Sequence, residues 1–320
     1  MPVLRHSSYP GPPRYLYNGH LQTIVPNVFR KVRGLVYERE RLDLPDGDFL
    51  DLDWVDRGSK RLVILTHGLE GDSYRSYMMG AAKLFAQQGW DALAWNCRSC
   101  SGEMNRAFRL YNHGEIGDIG EVIRHALRTR HYEEVALVGF SMGGNITLKY
   151  LGVHGREVPD VIRRGVAISA PTDLGSSARI LDNPTNRFYK RRFLRKLTKK
   201  ILQKAELHPG LLDISKLRSV RVWQDFDEAF SAPLGGYRDA TDFYTQASAL
   251  NFMPGIEVPV LLLNAQNDPI LTPQCAPAAL AEQHPHIYLE TPRLGGHVSF
   301  MVARDEFSWS ERRALEFVSC

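Results

Sequence analysis

Apolar residues along this chain fall into short continuous runs, and helical patterns separate most of these runs from one another. Eight runs have the length and composition of β-strands: residues 35–44, 49–56, 62–68, 90–96, 135–140, 165–170, 258–265 and 286–290. The first two alternate polar and apolar residues, which is typical of half-exposed antiparallel strands. The later runs are nearly all apolar, which is typical of parallel strands buried on both faces.

Helical periodicity appears in five segments, namely residues 75–88, 116–130, 142–152, 272–283 and 308–319. Strands that alternate with helices predict an α/β fold with a mostly parallel central sheet flanked by helices. Residues 173–250 break the alternation, because no strand pattern occurs there between the sixth and seventh runs. We therefore expect one domain over residues 1–320, with a helical cap inserted at about 173–250, at the sheet edge where such folds bind ligands.

Composition narrows the class of protein without identifying it. The chain has 320 residues, of which 43% are hydrophobic, and its net charge of +4 is too small to argue for a nucleic-acid partner. No apolar stretch approaches the length of a membrane span, and the N-terminal residues lack the apolar core of a secretory signal. The four Cys suggest no disulfide framework. We expect a cytoplasmic protein, with a monomer favoured.

The sequence GFSMGG, residues 139–144, follows an apolar run and precedes a helical pattern. A strand, a turn flanked by glycines and a helix together form a nucleophile elbow. Its central serine, here Ser141, adopts a strained backbone conformation and exposes its Oγ. Gly139 and Gly143 fit this turn, because a Cβ at either position would crowd it. The alternative is an ordinary strand–helix turn in which Ser141 caps the helix.

A serine nucleophile needs a base, and that base needs an orienting acid. In α/β-hydrolases the acid and then the histidine follow the serine along the chain. Asp268 follows the seventh run in a turn bounded by proline, and His297 follows the eighth run behind two glycines. Asp268 alone is also typical of an ordinary turn, and Asp173 after the sixth run is a rival for the acid. Because three residues stand together at the required places, we predict a triad of Ser141, Asp268 and His297.

An oxyanion hole needs backbone N–H donors next to the nucleophile. One donor belongs to the residue after the serine, Met142, and the other to the loop after the third run, THGLEG. The two glycines of that loop allow its N–H groups to turn inward. We expect Leu69 to be the second donor, with Glu70 as the alternative.

Two further motifs have other interpretations. Cys97 and Cys100 form a C-x-x-C, as in redox pairs or half of a zinc site, but no second pair of ligands with zinc spacing follows. His67 and Asp72 have the H-x4-D spacing seen in acyltransferases, but they lie in the predicted oxyanion loop, whose glycines explain the motif structurally. We therefore predict no metal and no cofactor, since a serine triad needs neither.

Residues 187–204, RFYKRRFLRKLTKKILQK, contain nine Lys or Arg and no acid. Phe193, Leu194, Leu197 and Ile201 recur at helical spacing and form one apolar stripe. One hypothesis is that the stripe packs on the core while water solvates the charges. The other is that the charges attract an anionic membrane surface.

Six segments of the chain resemble the YheT-like branch of the α/β-hydrolases, which is related to embryogenesis-associated plant proteins and to membrane-tethered lipid esterases of animals. They are NGHLQTI (18–24), THGLEG (66–71), GFSMGGN (139–145), FDEAFSAPLGGY (226–237), QASAL (246–250) and GGHVSF (295–300). The resemblance covers the chain from about Pro12, and its first and fourth segments are specific to this branch. It implies a carboxylesterase or lipase-like enzyme with the triad Ser141, Asp268 and His297.

The chain departs from the family pattern in two places. Relatives often have RGCSG where this chain has RSCSG at residues 98–102, so we expect the turn there to differ. Animal relatives carry an N-terminal membrane anchor, which we do not expect here. The leading hypothesis is a serine hydrolase of carboxylic esters, acting on a small-molecule substrate with a short- to medium-chain acyl group or on a lipid. The alternatives are acyl transfer by the same triad and a non-catalytic ligand-binding protein on the same scaffold.

Overall fold

The computed structural model describes residues 3–320. It contains nine strands, labelled β1 to β9 in chain order: Val3–Leu4, Glu38–Asp43, Phe49–Val55, Arg61–Thr66, Asp91–Asn96, Glu134–Phe140, Ile162–Ile168, Val260–Leu263 and Ile287–Glu290. All nine belong to one sheet with the order β1-β9-β8-β7-β6-β4-β5-β3-β2. The pairs β2–β3 and β3–β5 are antiparallel, and the other six pairs are parallel. The predicted mostly parallel α/β fold is therefore confirmed.

Eleven α-helices, labelled α1 to α11, accompany these strands within residues 3–320. They are Gly19–Phe29, Ser76–Gln87, Gly117–Thr129, Met142–His154, Leu174–Leu181, Arg187–Leu207, Trp223–Phe226, Ala232–Gly235, Ala240–Ala247, Ala278–Gln283 and Trp309–Val318. A π-helical turn, Asp227–Ser231, joins α7 to α8.

The core forms two layers, one on each face of the sheet. Ile123 of α3 and Ile146 of α4 belong to the cluster on one face, and Phe85 of α2 and Phe317 of α11 belong to the cluster on the other. Between β7 and β8 the chain leaves the sheet and forms α5 to α9 with no strand among residues 169–259. The absence of strands there matches the sequence pattern, and the use of this insertion as a cap stays a prediction.

Strand β3 contradicts the expected half-exposure, because all seven of its residues are buried. Arg41 and Arg39 of β2 stand opposite Asp51 and Asp53 of β3 in the ladder. Each guanidinium donates two hydrogen bonds to the facing carboxylate, at 2.7 to 3.0 Å. The polar positions of β3 are therefore covered by paired arginines and not by water, which the alternating pattern alone does not reveal.

Three further elements differ from the sequence-based expectations. Strand β1, which pairs with β9, and helix α1 were not predicted. The helix expected at 272–283 is interrupted: a 3-10 turn at Pro273–Cys275 precedes α10, which begins only at Ala278. Pro277 lies at the break, where its ring and missing N–H disfavour a continuous helix.

Candidate active site

Ser141 lies on a sharp turn between β6 and α4. Its backbone has φ +54° and ψ −119°, a left-handed conformation that is strained for a residue with a Cβ. The Ser141 side chain makes no capping hydrogen bond to the helix, so the alternative of an ordinary helix cap is wrong. A Cβ on Gly139 would overlap the carbonyl of Gly143, and one on Gly143 would overlap the carbonyl oxygen of Thr66. The glycines thus allow the turn to pack directly against β4.

The structure brings together the three residues predicted as a triad. His297 Nε2 is 2.8 Å from Ser141 Oγ, and His297 Nδ1 is 2.7 Å from Asp268 Oδ2. His297 and Asp268 are only 7% and 6% exposed. Asp173 lies elsewhere: its Oδ1 accepts the N–H of Ser176 at 2.8 Å and caps α5. Of the two candidate acids, only Asp268 contacts the imidazole.

The loop that carries His297 is fixed by side chains from three other parts of the fold. Four consecutive backbone N–H groups, of residues 295–298, each donate to a side-chain oxygen. The acceptors are Gln22 and Thr23 of α1, Asn267 after β8 and Ser169 after β7, at 2.9 to 3.1 Å. Sequence reasoning did not assign these four residues. The signal for two of them was present, because Gln22 and Thr23 lie within NGHLQTI.

The loop after β4 places backbone N–H groups beside the serine. Gly68 approaches so closely that a Cβ on it would lie 3.0 Å from Ser141 Cβ. The N–H of Glu70 donates to the hydroxyl of Tyr111 at 3.1 Å and is therefore engaged. Within residues 3–320 the N–H groups of Leu69 and Met142 have no acceptor. Both remain free to bind a ligand oxygen.

Two chambers meet at Ser141 and His297, and they share the side chains of Leu69, Phe193 and Ile270. The first chamber, of about 80 Å³, extends beneath the insertion, and its further lining includes Leu174, Ala178, Leu181, Leu197, Trp223 and Phe243. The second chamber, of about 110 Å³, extends towards α1, and its further lining includes Ile24, Asn27, Val28, Arg75, Phe188 and Arg192.

Asp227 is a buried carboxyl group in the wall of the first chamber. It accepts a hydrogen bond from the Tyr244 hydroxyl at 2.8 Å. Burial raises the pKa of Asp227 from 3.8 to about 6. The same wall contains His113, whose pKa burial lowers to about 4, so that this imidazole is neutral at pH 7.

Comparison with known proteins shows the family to which this chain belongs. A family model described as the alpha/beta hydrolase fold matches residues 61–303. YheT of Escherichia coli (strain K12) is 34% identical over 91% of this chain and 86% of its own length. This chain belongs to the α/β-hydrolase superfamily. The resemblance to the YheT-like branch is confirmed by the same comparison.

Other relatives of this α/β-hydrolase extend the comparison. Phospholipase ABHD3 of Mus musculus is 26% identical over 94% of this chain and 74% of its own length. The solved structure of the Pyrococcus furiosus esterase Pf2001 superimposes with a TM-score of 0.58 at 18% identity. That superposition covers 91% of this chain and 97% of that one. It shows the shared fold.

Helix α6 of this α/β-hydrolase belongs to the insertion and contacts the loop after β4. Its apolar stripe packs: Phe193 belongs to a cluster with Trp223, and Ile201 to a cluster with Phe226 and Phe230. Ile201 is buried, and Phe193, Leu194 and Leu197 are partly buried against these clusters. The structure therefore agrees with the hypothesis that the stripe packs on the protein.

Three lysines of α6 face inward, so the hypothesis that all its charges are solvated is wrong for them. Lys196 Nζ donates to the carbonyl oxygen of Glu70 at 2.9 Å, and Lys200 Nζ lies 2.9 Å from Glu70 Oε1. Lys204 is fully buried and donates to the carbonyl oxygen of Asn105 at 2.6 Å, and burial lowers its pKa to about 8. These contacts hold α6 against the loop that follows β4 and against the segment after β5.

The residues of the two remaining motifs, His67 and the pair Cys97 and Cys100, are buried. His67 is fully buried, with Nδ1 2.8 Å from the carbonyl oxygen of Gly68 and Nε2 accepting the N–H of Cys97 at 3.0 Å. It lines neither chamber. Cys97 and Cys100 are free, buried thiols in the turn after β5. Ser99 between them has φ +63°, so this turn keeps a left-handed residue where relatives often have glycine.

Residues 3–320 contain neither a candidate membrane span nor a candidate metal-binding cluster. None of the helices there has the length and hydropathy that crossing a bilayer requires. No group of three or more His, Cys, Asp or Glu side chains in that part of the chain is arranged to hold a metal ion.

Proposed function

We propose that this α/β-hydrolase is a serine hydrolase of carboxylic esters. The observation that carries the proposal is the hydrogen-bonded series from Ser141 Oγ to His297 Nε2 and from His297 Nδ1 to Asp268 Oδ2. An activated serine beside free backbone donors is the arrangement that acyl transfer requires. The name of the ABHD3 phospholipase supports the same class of reaction.

Acylation begins when Ser141 Oγ attacks the ester carbonyl carbon and His297 Nε2 takes the hydroxyl proton. Asp268 holds the imidazole with its Nδ1–H facing the carboxylate and stabilises the imidazolium that forms. The carbonyl oxygen becomes an oxyanion, and we assign its stabilisation to the N–H groups of Leu69 and Met142. One such donor contributes about 3–4 kcal/mol to transition-state stabilisation.

The tetrahedral intermediate collapses when the bond from carbon to the alcohol oxygen breaks. His297 returns its proton to that oxygen, so that the alcohol leaves and the acyl group remains on Ser141. Water then attacks the acyl carbon, His297 accepts its proton, and the carboxylic acid departs with the proton restored to Ser141. An acceptor alcohol in place of water would give the alternative, acyl transfer.

We assign the acyl group to the first chamber, and we propose that residues 173–250 act as its cap. The chamber wall is mainly apolar and includes Leu197 and Trp223 from this insertion. Its volume of about 80 Å³ corresponds to several water molecules. A short acyl chain therefore suits the chamber, and a longer chain would require the insertion to move.

Labelling with a fluorophosphonate probe and hydrolysis of p-nitrophenyl butyrate test the proposal. Ser141→Ala should abolish labelling and lower turnover by about 10⁴ to 10⁶. Ser177→Ala is the matched control, because Ser177 lines the same chamber but bonds to Cys275 and not to His297. Labelling of the Ser141 variant at the wild-type rate would exclude the covalent role, and an inactive but folded wild type would favour a binding protein.

The assignment of Asp268 is tested by two isosteric changes. Asp268→Asn should lower turnover by about 10⁴ with little loss of volume, because the amide stabilises the wrong imidazole tautomer. Asp173→Asn should affect mainly the stability of α5. The opposite pattern would make Asp173 the acid. Acyl transfer is distinguished by adding glycerol, which diverts product to a new ester only if acceptors compete with water.

Contact with an anionic membrane surface stays a hypothesis for the outer face of α6. Arg191, Arg195 and Lys199 are exposed there, and Phe188 is 51% exposed. Each well-placed cation near such a surface contributes about 1 kcal/mol. Co-sedimentation with anionic vesicles should weaken with salt and with the triple change of these three cations to Gln. Equal recovery on neutral and anionic vesicles would reject the contact. The cytoplasmic location and the monomeric state stay predictions.

A further inference from the structure

The second chamber differs from the first in the charged residues that line it. Ser141, His297, Arg75 and Arg192 all belong to its lining. Two exposed apolar residues, Val28 and Phe188, lie beside them. The proposed nucleophile and base therefore line the same chamber as two cationic residues.

Arg192 forms no ion pair within residues 3–320, and Arg75 has only a distant one. The groups that influence Arg192 are its burial first and then the like charges of Arg75 and Arg195, and all three lower its pKa. Arg75 donates to the carbonyl oxygen of Glu70 at 2.9 Å, and its Nε is 4.0 Å from Asp72 Oδ2, at the limit of an ion pair. Half-buried cations that repel one another are costly unless an anion joins them.

The first chamber is unsuitable for an anion. Asp227 lies in its wall, and with a pKa of about 6 this carboxyl group is ionised at pH 7. A second negative charge there would be repelled. The two chambers thus differ in electrostatic preference although they meet at the same serine.

We propose that the second chamber is a leaving-group subsite for an anionic alcohol, one that carries a phosphate or a carboxylate, with Arg192 and Arg75 as its binding residues. The inference rests on the proposed ester hydrolysis. Planar guanidinium groups pair with either anion through two parallel hydrogen bonds. His297 Nε2 faces the same junction and can return its proton to the departing alcohol.

Three butyryl esters test the subsite: those of 2-hydroxyethyl phosphate, glycolic acid and 2-methoxyethanol. The acyl group is constant, and the alcohol is phosphorylated, carboxylated or neutral. With hydrolysis followed in a pH-stat, we expect kcat/KM to be higher for at least one anionic ester and to fall with added salt for that ester alone. The phosphate and glycolate arms show which anion the site prefers, and monomeric substrate without vesicles excludes a lipid surface as the source of the effect.

Arg192→Gln should raise KM for the preferred anionic ester by about tenfold, the usual effect of one charge-assisted hydrogen bond. It should change KM for the neutral ester by a smaller factor, because that ester offers no charge to the guanidinium. Arg187→Gln is the matched control, because Arg187 lies on the same helix but lines only an outer groove. An equal change for the neutral and anionic esters, or no preference for an anion in the wild type, would overturn the subsite and leave ester hydrolysis intact.

Binding provides a readout that does not depend on turnover. Calorimetric titration of the Ser141→Ala protein with the butyryl ester of 2-hydroxyethyl phosphate should show a Kd that Arg192→Gln weakens by about tenfold. If no ester is hydrolysed and no fluorophosphonate labelling occurs, ester hydrolysis is rejected, and this titration still decides the anion site. Identical Kd values with and without Arg192 would reject it.

Discussion

The substitution Thr23→Val tests whether α1 positions the histidine. Thr23 Oγ1 accepts the backbone N–H of His297 at 2.9 Å and donates to the carbonyl oxygen of Gly19 at 2.7 Å. Valine keeps the shape of the side chain but removes both bonds. Thr129→Val is a matched control, because Thr129 Oγ1 donates to the carbonyl oxygen four residues earlier in α3 and is remote from the site.

The expected magnitude follows from the loop around His297. Val298 and Phe300 have φ of +61° and +37°, a region in which residues with a Cβ are strained by about 1–3 kcal/mol each. The four side-chain acceptors of residues 295–298 hold this conformation. A buried N–H left without an acceptor costs about 1–3 kcal/mol, so we expect Thr23→Val to lower the free energy of unfolding by that amount.

The substitution should also lower kcat, because a loosened loop positions the imidazole of His297 less accurately. About 1 kcal/mol corresponds to about fivefold in kcat. KM should change less than kcat, because valine keeps the shape of Thr23 in the lining of the second chamber. Urea unfolding and p-nitrophenyl butyrate kinetics measure the two effects. The free energy of unfolding of Thr129→Val should stay within about 0.5 kcal/mol of the wild-type value. If the two valine variants have the same stability and kcat, the N–H of His297 is not held by Thr23 in solution.

Three further predictions concern the elbow, the helix α6 and the first chamber. Gly143→Ala should lower the free energy of unfolding by about 1–3 kcal/mol in thermal melts and reduce activity, because the new Cβ overlaps the carbonyl oxygen of Thr66. Gly120→Ala is the control: its Cβ would lie at an ordinary 3.7 Å from Tyr150, so the same melts should show neutral or increased stability. Lys200→Met should lower the free energy of urea unfolding by about 3–5 kcal/mol, because it leaves the buried carboxylate of Glu70 without its cation. The double variant with Glu70→Gln should recover part of that lost stability. No recovery would contradict the pairing. Asp227→Asn should change how stability depends on pH: the folded pKa is raised to about 6, so wild-type unfolding free energy falls as pH rises from about 4 to 6. This pH-dependent change amounts to about 3 kcal/mol in total, and the variant should lack it. Parallel pH profiles for the two proteins would contradict the raised pKa of Asp227.

The sequence determined those features that depend on local pattern. Runs of apolar residues predicted the buried parallel strands, because a strand covered on both faces has no polar positions to alternate. The glycines around Ser141 predicted the turn, since the close approach of the backbone to β4 excludes a Cβ. The order of Ser141, Asp268 and His297 along the chain, each after a strand, was also visible, although their roles stay proposals until the variants are measured.

Only the tertiary structure decided which groups meet. The burial of Asp51 and Asp53 depends on arginines that face them across the ladder, and an alternating pattern does not specify what covers a polar face. The acceptors for the loop of His297 come from positions as distant as Gln22 and Ser169, so no local pattern relates them to it. Likewise, Lys200 and Arg192 belong to one basic run, yet one is paired with a buried carboxylate and the other is not. Charge is a property of the residue, whereas its partner is set by the packing of elements far apart in the chain.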